Sequence, residues 1–561
     1  MERNAILATI LVILILVGYQ WYMAQFEAPA PPASRPADTA PAAPAVPPRP
    51  AATPTPTPAR TAAPKPAPKD FTPTAALALP AKEVLVKTPL MQVRLSTAGA
   101  RVIGWELLKY HTDRGTPVDL VAPARAGALA GGLATWIDGA QMEGVFQVDQ
   151  DGLDLTAGQE AGTLTFTYVA ASGVQVQKRL AFHRDRYRVD VELDVRNLSR
   201  DDAVVEPRLA WGPGFRNSPD KSATTAQPPT LWLDGKRVQE DISKLSGEKE
   251  IRGALSWVAL QDQYFAAALL PEGKEEWAFL RKGAGDEPVV GLASAKQTLP
   301  PGGQLTISAA VFAGPKDLDV LKAAGQHLDQ LIDLGWFDFL ARPAIWLLKV
   351  LYGFTGNYGV AIILVTILQK VAFHPLTHKS VKSMQSMQSI QPKVQAIQER
   401  YKNNPQKKQE ETMALYRKHG VNPMGGCLPM VVQIPIFIAL YNALSSSVEM
   451  WQAHFLWIHD LTKPDALFSV TLWGGHPYGF NLLALLMGAS MWFQQKMSPP
   501  AGDPRQYQMM LWMMPILFTF MFWGFPSGLV LYWLVNNVLQ IGQQWLIMRK
   551  PTRPAAEGQP A

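Results

Sequence analysis

The chain has 561 residues, too many for one small domain and enough for two or three. Charged residues are only 17%, low for a purely soluble protein, and the near-zero mean hydropathy averages long apolar runs with polar stretches. Net charge is +6, and the single cysteine, Cys427, excludes an intramolecular disulfide, so any exported domain stands on its core alone.

Residues 5 to 23 read AILATILVILILVGYQWYM, 19 residues without a charge. At about 1.5 Å per residue this nearly spans a hydrocarbon core of roughly 30 Å. A cleaved signal peptide is the competing reading, because Ala28-Pro29-Ala30 offers a small-residue site just beyond. The length of the run and its aromatic end, Tyr19, Trp21 and Tyr22, favour an uncleaved anchor over residues 1–24. Residues 25–80 follow as a Pro/Ala-rich linker; 17 prolines between 29 and 80 prevent it from burying a core.

Residues 81–335 read as one domain, and from about 81 to 315 the pattern changes to period-two alternation, as in Leu164-Thr165-Phe166-Thr167-Tyr168 and Tyr187-Arg188-Val189-Asp190-Val191-Glu192-Leu193. Turn residues such as Asp113-Arg114-Gly115 and Pro300-Pro301-Gly302-Gly303 separate the runs, which predicts a large antiparallel β-sandwich. Residues 317–332 read as helical at its end. His111 and His183 are lone histidines without matching ligands, and no catalytic constellation stands out in this region.

The run 336–353 carries Asp338, Arg342, Pro343 and Lys349 and reads as an amphipathic helix lying in a membrane interface. Residues 354–548 hold five further spans, at about 356–376, 427–447, 478–496, 508–524 and 526–547, the last two split by Pro526. Loop 374–426 has nine Lys/Arg against three Glu, whereas loop 448–477 has only Lys463. The positive-inside rule then puts that basic loop, loop 497–507, the tail 549–561 and the N-terminus in the cytoplasm, and residues 24–335 outside it; six spans close the parity.

Lys370 lies about 9 Å inside the cytoplasmic end of its span. Snorkelling would explain a lone lysine there, but its neighbours argue for a polar site. Thr366 is one turn earlier, Gln433 lies at similar depth on the next span, and Tyr532, Asn536, Gln540 and Gln543 share one face of the last span with Asn537 and Gln544 beside it. The outer half of each span is nearly all apolar, which predicts a wet groove open to the cytoplasm rather than a complete channel. Helix-to-helix hydrogen bonding is the competing explanation and suits Asn537 well. Within the basic loop, residues 377–420 form a helical hairpin whose apolar stripe includes Met384, Met387 and Ile390, adaptable enough to hold a hydrophobic client.

The segments GNYG…TILQKVAFHPLT from Gly356, VNPMGGCLPMVVQIPIFIALYNAL from Val421, FLWIHDL from Phe455, QKMSP from Gln495 and FPSGLVLYWLVNNVLQIGQQ from Phe525 resemble the YidC/oxidase-assembly/Albino insertase family. The resemblance covers essentially the whole chain and implies the Gram-negative form: an N-terminal anchor, a periplasmic all-β supersandwich domain of mutarotase-like shape, and a five-helix insertase core. It implies a groove with one important positive charge, arginine in many members and Lys370 here, which keeps the charge and loses the bidentate fork. Gln433 and Thr366 match polar groove positions, and Asn536 and Asn537 fall where the family is polar on its last helix. A family tryptophan position falls on Gly524, with Trp523 adjacent, and its role is not carried over.

The implied function is insertion and folding of inner-membrane proteins, without enzymatic activity, cofactor or metal. The implied partners are nascent membrane proteins, the Sec translocon and membrane lipids, with the ribosome and the signal-recognition-particle receptor as further ones, and no nucleic-acid recognition. A solute transporter or channel with a periplasmic binding domain is the rival; it would need polar residues through the midplane and matched repeats. No P-loop, HExxH or GxSxG pattern supports an enzyme, and His374 and His378 share a helical face without a third ligand nearby.

Overall fold

The computed structural model describes residues 80–122, 131–212, 214–215, 227–273, 276–283, 287–420, 428–471, 477–497 and 504–548. The expected anchor 1–24, nearly all of the linker 25–80, Cys427 and the tail 549–561 lie outside the described residues.

Alternation builds the β domain. In Arg188–Asn197, Val189, Val191, Leu193 and Val195 are buried while Asp190, Glu192 and Asp194 are half-exposed. That strand runs antiparallel between Val174–His183 and Gln304–Pro315 inside a nine-stranded sheet. A six-stranded sheet and a five-stranded sheet share its core, which includes Trp105, Trp211, Trp257 and Phe312. This is the predicted β-sandwich, with one departure: Glu83–Lys87 pairs parallel to Gly152–Asp154.

One charged residue occupies a core position of the alternation. Lys178 is fully buried, and its Nζ donates to the carbonyl oxygens of Ala100 (2.9 Å) and Leu133 and to Thr135 Oγ1 (3.3 Å). It thereby ties its strand to backbone groups 78 and 45 residues away in sequence. Burial pushes its pKa down from 10.5 to about 7.

The reading of 317–332 as one helix is corrected to two pieces. Helix α1, Leu318–Ala324, ends at Gly325 (φ +84°), and a short 3-10 turn, Leu328–Leu331, follows His327 (φ +60°). Eight longer helices follow: α2 Asp338–Thr355, α3 Tyr358–Ala372, α4 His374–Arg400, α5 Pro405–Lys418, α6 Leu428–Ser446, α7 Leu482–Met497, α8 Pro504–Phe522 and α9 Ser527–Met548. Two boundaries differ from expectation. The helix of the first core span stops at Ala372 and α4 leaves it at a 65° bend, because Pro375 cannot continue the preceding helical turn. The segment Pro477–Asn481 is a strand paired with Ala466–Thr471, not the start of a span. Among the described residues no single helix is long and apolar enough to cross a membrane; the bent α3–α4 pair passes by length and composition.

The β domain and the helices share one core, because Trp451, just past α6, is buried against Tyr110, Tyr264 and Phe265, with ring centroids 6.3, 5.8 and 5.4 Å away. Beside it Lys349 on α2 meets three carboxylates: Asp317 (3.1 Å), Asp319 (2.7 Å) and Glu449 (2.7 Å). Burial, then the neighbouring Asp317 charge, pushes the Glu449 carboxyl up. At Asp317 burial acts upward too, but the Lys349 ammonium overcomes it and holds the group below its usual range. The opposite face of α2 is bare, with Trp336 just ahead of it and Phe339, Trp346 and Phe354 on it all exposed.

Two outcomes follow. Because the unfolded chain keeps the higher lysine pKa, it binds more protons above pH 7, so Lys178 makes stability rise with pH between about 7 and 10. Replacing it by methionine flattens that rise in urea unfolding of the detergent-solubilised protein. The Lys349→Met variant leaves the carboxylates of Asp317 and Glu449 facing each other and lowers stability by about 3 kcal/mol near neutral pH, and by less at acid pH, because burial and the Asp317 charge already favour the protonated form of Glu449. Thermal melts at the two pH values read the difference, and adding Glu449→Gln restores part of the loss.

Candidate functional site

Most of the segments that stand out in the sequence are fasteners at the end of the bundle nearest the β domain. Gly356 closes α2 at φ +65°, and Asn357 then caps α3 by accepting from the Val360 N–H at 3.1 Å while donating to the His454 carbonyl at 3.0 Å. Gly359 is needed for contact, since a Cβ there would stand 2.1 Å from the Phe455 ring. Asp465 accepts from the Leu483 N–H (2.7 Å) at the start of α7 and from Trp457 Nε1 (3.2 Å). Ser527 opens α9 by donating from its hydroxyl to the Asp460 carbonyl at 3.0 Å. Tyr358, Ile362, Leu440, Leu444, Leu461, Leu483, Leu529 and Val530 fill the space between these ends.

The other end of the bundle, where α3 turns into the α4–α5 hairpin, is polar inside. Gln369 Nε2 donates to Gln433 Oε1 at 3.2 Å, Gln433 Nε2 donates to the Tyr532 hydroxyl, and that hydroxyl donates to Gln369 Oε1 at 3.1 Å. The three side chains, from α3, α6 and α9, form a closed ring in which each gives and takes one bond. One residue along, Lys370 Nζ donates to Gln540 Oε1 at 2.8 Å. One turn further, His374 Nδ1 and Gln543 Nε2 are 2.8 Å apart. Lys370 has no ion pair among the described residues, and α3, α6 and α9 contain no Asp or Glu.

The predicted residues therefore divide. Lys370, Gln433 and Gln540 come together. Thr366 is fully buried and its hydroxyl is spent on the Ile362 carbonyl of its own helix at 2.7 Å. Asn536 is buried, its Oδ1 without a partner among the described residues. Asn537 points elsewhere: its Nδ2 donates to Ser490 Oγ on α7 at 3.1 Å, and Gln544 likewise reaches the Met497 carbonyl at 3.0 Å. These two are bonds between helices. On the hairpin, Ile390 is buried with Val381 and Val394, whereas Met384 and Met387 are half-buried. The rings of His374 and His378 are 6.2 Å apart, and no group of three metal-ligating side chains occurs among the described residues.

Sequence reasoning missed Gln369. The signal was present: Gln369 and Lys370 lie three and four residues after Thr366, so a helix places all three near one face. It also left the part played by Tyr532 unassigned; only the tertiary contact shows that a tyrosine closes the ring of amides.

The bundle carries an apolar exterior around this interior. Ile367, Leu368 and Val371 on α3, Val431 and Ile434 on α6, Trp512, Ile516 and Phe520 on α8, and Val538 and Leu546 on α9 are all exposed. That surface suits lipid and not water. Chemically the interior offers, among the described residues, a cation with amide donors and acceptors, a set that can bind a carboxylate by charge-assisted hydrogen bonds.

Comparison with known proteins gives the same picture over the whole length. The YidC periplasmic domain family matches residues 83–347, and the 60Kd inner membrane protein family matches residues 350–554. The membrane protein insertase YidC of Syntrophus aciditrophicus is 35% identical, covering 98% of this chain and 100% of that one. Its counterpart in Geobacter metallireducens is 36% identical over 97% of this chain and 98% of its own length. That of Pelobacter propionicus is 42% identical over 70% and 72%. The chain belongs to the YidC family of membrane protein insertases, inner-membrane proteins with a periplasmic β domain.

Proposed function

We propose that the polar interior around Lys370 is the seat in which this insertase receives the hydrophilic flank of a client during insertion. The observation that carries this reading is the Lys370–Gln540 contact at 2.8 Å: an ammonium among apolar helices, held by a neutral amide and by no carboxylate. A charge at bilayer depth costs about 2.5–3.5 kcal/mol on insertion scales, so a cation kept there without a counter-ion is poised to accept one from outside.

In this reading the basic loop lies in the cytoplasm and the chain crosses the membrane six times, with both termini inside. The hairpin of α4 and α5 meets an emerging hydrophobic segment; Met384 and Met387 are its adaptable part, while Ile390 holds the hairpin together. The client's polar tail enters beside Lys370, Gln433 and Gln540 and crosses a shortened apolar distance. The membrane potential favours outward movement of acidic tails by roughly 2.3 kcal/mol per charge per 100 mV. The client's apolar span leaves along the exposed surfaces of α3 and α6 into lipid. Nothing in this sequence of events calls for a nucleotide. The partners that go with this reading are nascent membrane proteins and the Sec translocon, with the ribosome and the signal-recognition-particle receptor as further ones.

Insertion of a short acidic-tailed membrane protein in depleted cells tests the seat. Lys370→Arg keeps most activity. Lys370→Ala lowers insertion about tenfold, the effect of losing ~1.4 kcal/mol of a charge-assisted contact, and Lys370→Glu falls below it. Full insertion with both the alanine and glutamate variants would sink the reading. Accessibility supplies a second check, in a background lacking Cys427. A membrane-impermeant maleimide added from the cytoplasmic side labels Q540C and Q433C readily, and labels T366C, at the dry bottom of the seat, far more slowly.

A further inference from the structure

The seat does not end at Lys370. We infer that His374 is a second client-recognition position, at the mouth of the seat, that selects for carboxylates in the entering segment. The inference rests on the seat reading above and adds a residue that nothing so far required.

The geometry is as follows. Lys370 and His374 are four residues apart across the bend between α3 and α4, and each is held by a glutamine of α9, Gln540 and Gln543, at 2.8 Å. Two bases and two amides thus face each other along one line. Because Nδ1 accepts from the Gln543 amide, the neutral ring carries its proton on Nε2, which bonds no described residue on this exposed side chain. An N–H donor is therefore free at the entrance. When the ring takes a second proton, Nδ1 becomes a donor, and Gln543 meets it by turning its amide to offer Oε1. Glutamine is the side chain that can hold both protonation states without leaving a group unpaired. An aspartate or glutamate at position 543 would instead neutralise the ring and compete with the client.

The surroundings agree in sign. Among the described residues, the charged and titratable groups on the neighbouring elements are Tyr358 and Lys370 on α3, His378, Lys379, Lys382, Lys393, Glu399 and Arg400 on α4, Tyr441 on α6 and Tyr532 on α9. No carboxylate occurs on α3, α6 or α9, and α4 has none before Glu399. A client carboxylate entering here meets the Lys370 ammonium and amide and imidazole N–H donors, with no carboxylate on α3, α6 or α9 to repel it.

The test uses the full-length protein reconstituted in vesicles and two single-span clients, one with an acidic translocated tail and one with the same tail carrying asparagines. Wild-type protein inserts the acidic client faster than the asparagine one, by about threefold, the size an exposed charge contact supports. His374→Gln lowers the acidic client more than the asparagine client and so narrows that ratio; His374→Arg restores it. Equal loss of both clients in His374→Gln, or an unchanged ratio, overturns the inference. Lys370→Ala is run in parallel: if it inserts the acidic client normally, the seat itself fails, whatever His374 does.

Discussion

An ammonium with no counter-ion among the described residues, set between helices α3, α6 and α9 that carry no acid, is the constraint on which the helical half of this protein turns. Lys370 could be neutralised cheaply by a single aspartate on α6 or α9, and none is present. The charge is tolerated because amides surround it. Gln540 takes its bond, and the ring of Gln369, Gln433 and Tyr532 next to it is closed on itself, so that no member of that ring competes for the lysine. A fully satisfied neutral network beside an under-satisfied cation is a stable arrangement that leaves the cation able to take a further acceptor.

The opposite end of the bundle is joined by the fasteners. Asn357 and Asp465 accept from the first N–H groups of α3 and α7 while bonding His454 and Trp457 in the segment after α6, and Ser527 at the start of α9 donates to Asp460 of the same segment. These bonds join the ends of α3, α7 and α9, whereas the polar end is joined by side-chain bonds among Gln369, Lys370, Gln433, Tyr532 and Gln540. The β domain adds to the same end through Trp451 and through the Lys349 cluster, which ties α1, α2 and the segment after α6 to one charge. The amphipathic helix α2 is thereby fixed with its aromatic face outward.

The division between fasteners and seat cuts across the segments that mark the family. Within FPSGLVLYWLVNNVLQIGQQ, Ser527 fastens, Tyr532 and Gln540 belong to the seat, and Asn537 and Gln544 bind α7. A polar residue in an apolar helix can serve any of these purposes, and helical spacing narrows the choice without making it. Asn536 and Asn537 illustrate the limit: adjacent in sequence, they are about 100° apart on the helix, enough to send the second to a different neighbour.

The sequence by itself determined the architecture. Period-two alternation, a proline-rich linker, apolar runs and a lysine-rich loop each follow from local chemistry, since burial and backbone geometry act on neighbours in the chain. It also determined that a cation would lie within the bundle. Tertiary structure alone decided which amides would meet it. Gln369, Gln433 and Tyr532 are separated by 64 and 99 residues, and only the packing of α3, α6 and α9 makes them one ring. The same holds for Lys349, whose carboxylates come from 32 residues before it and 100 after it, and for the bend at Phe373, where Pro375 breaks a helix that hydropathy alone would have continued.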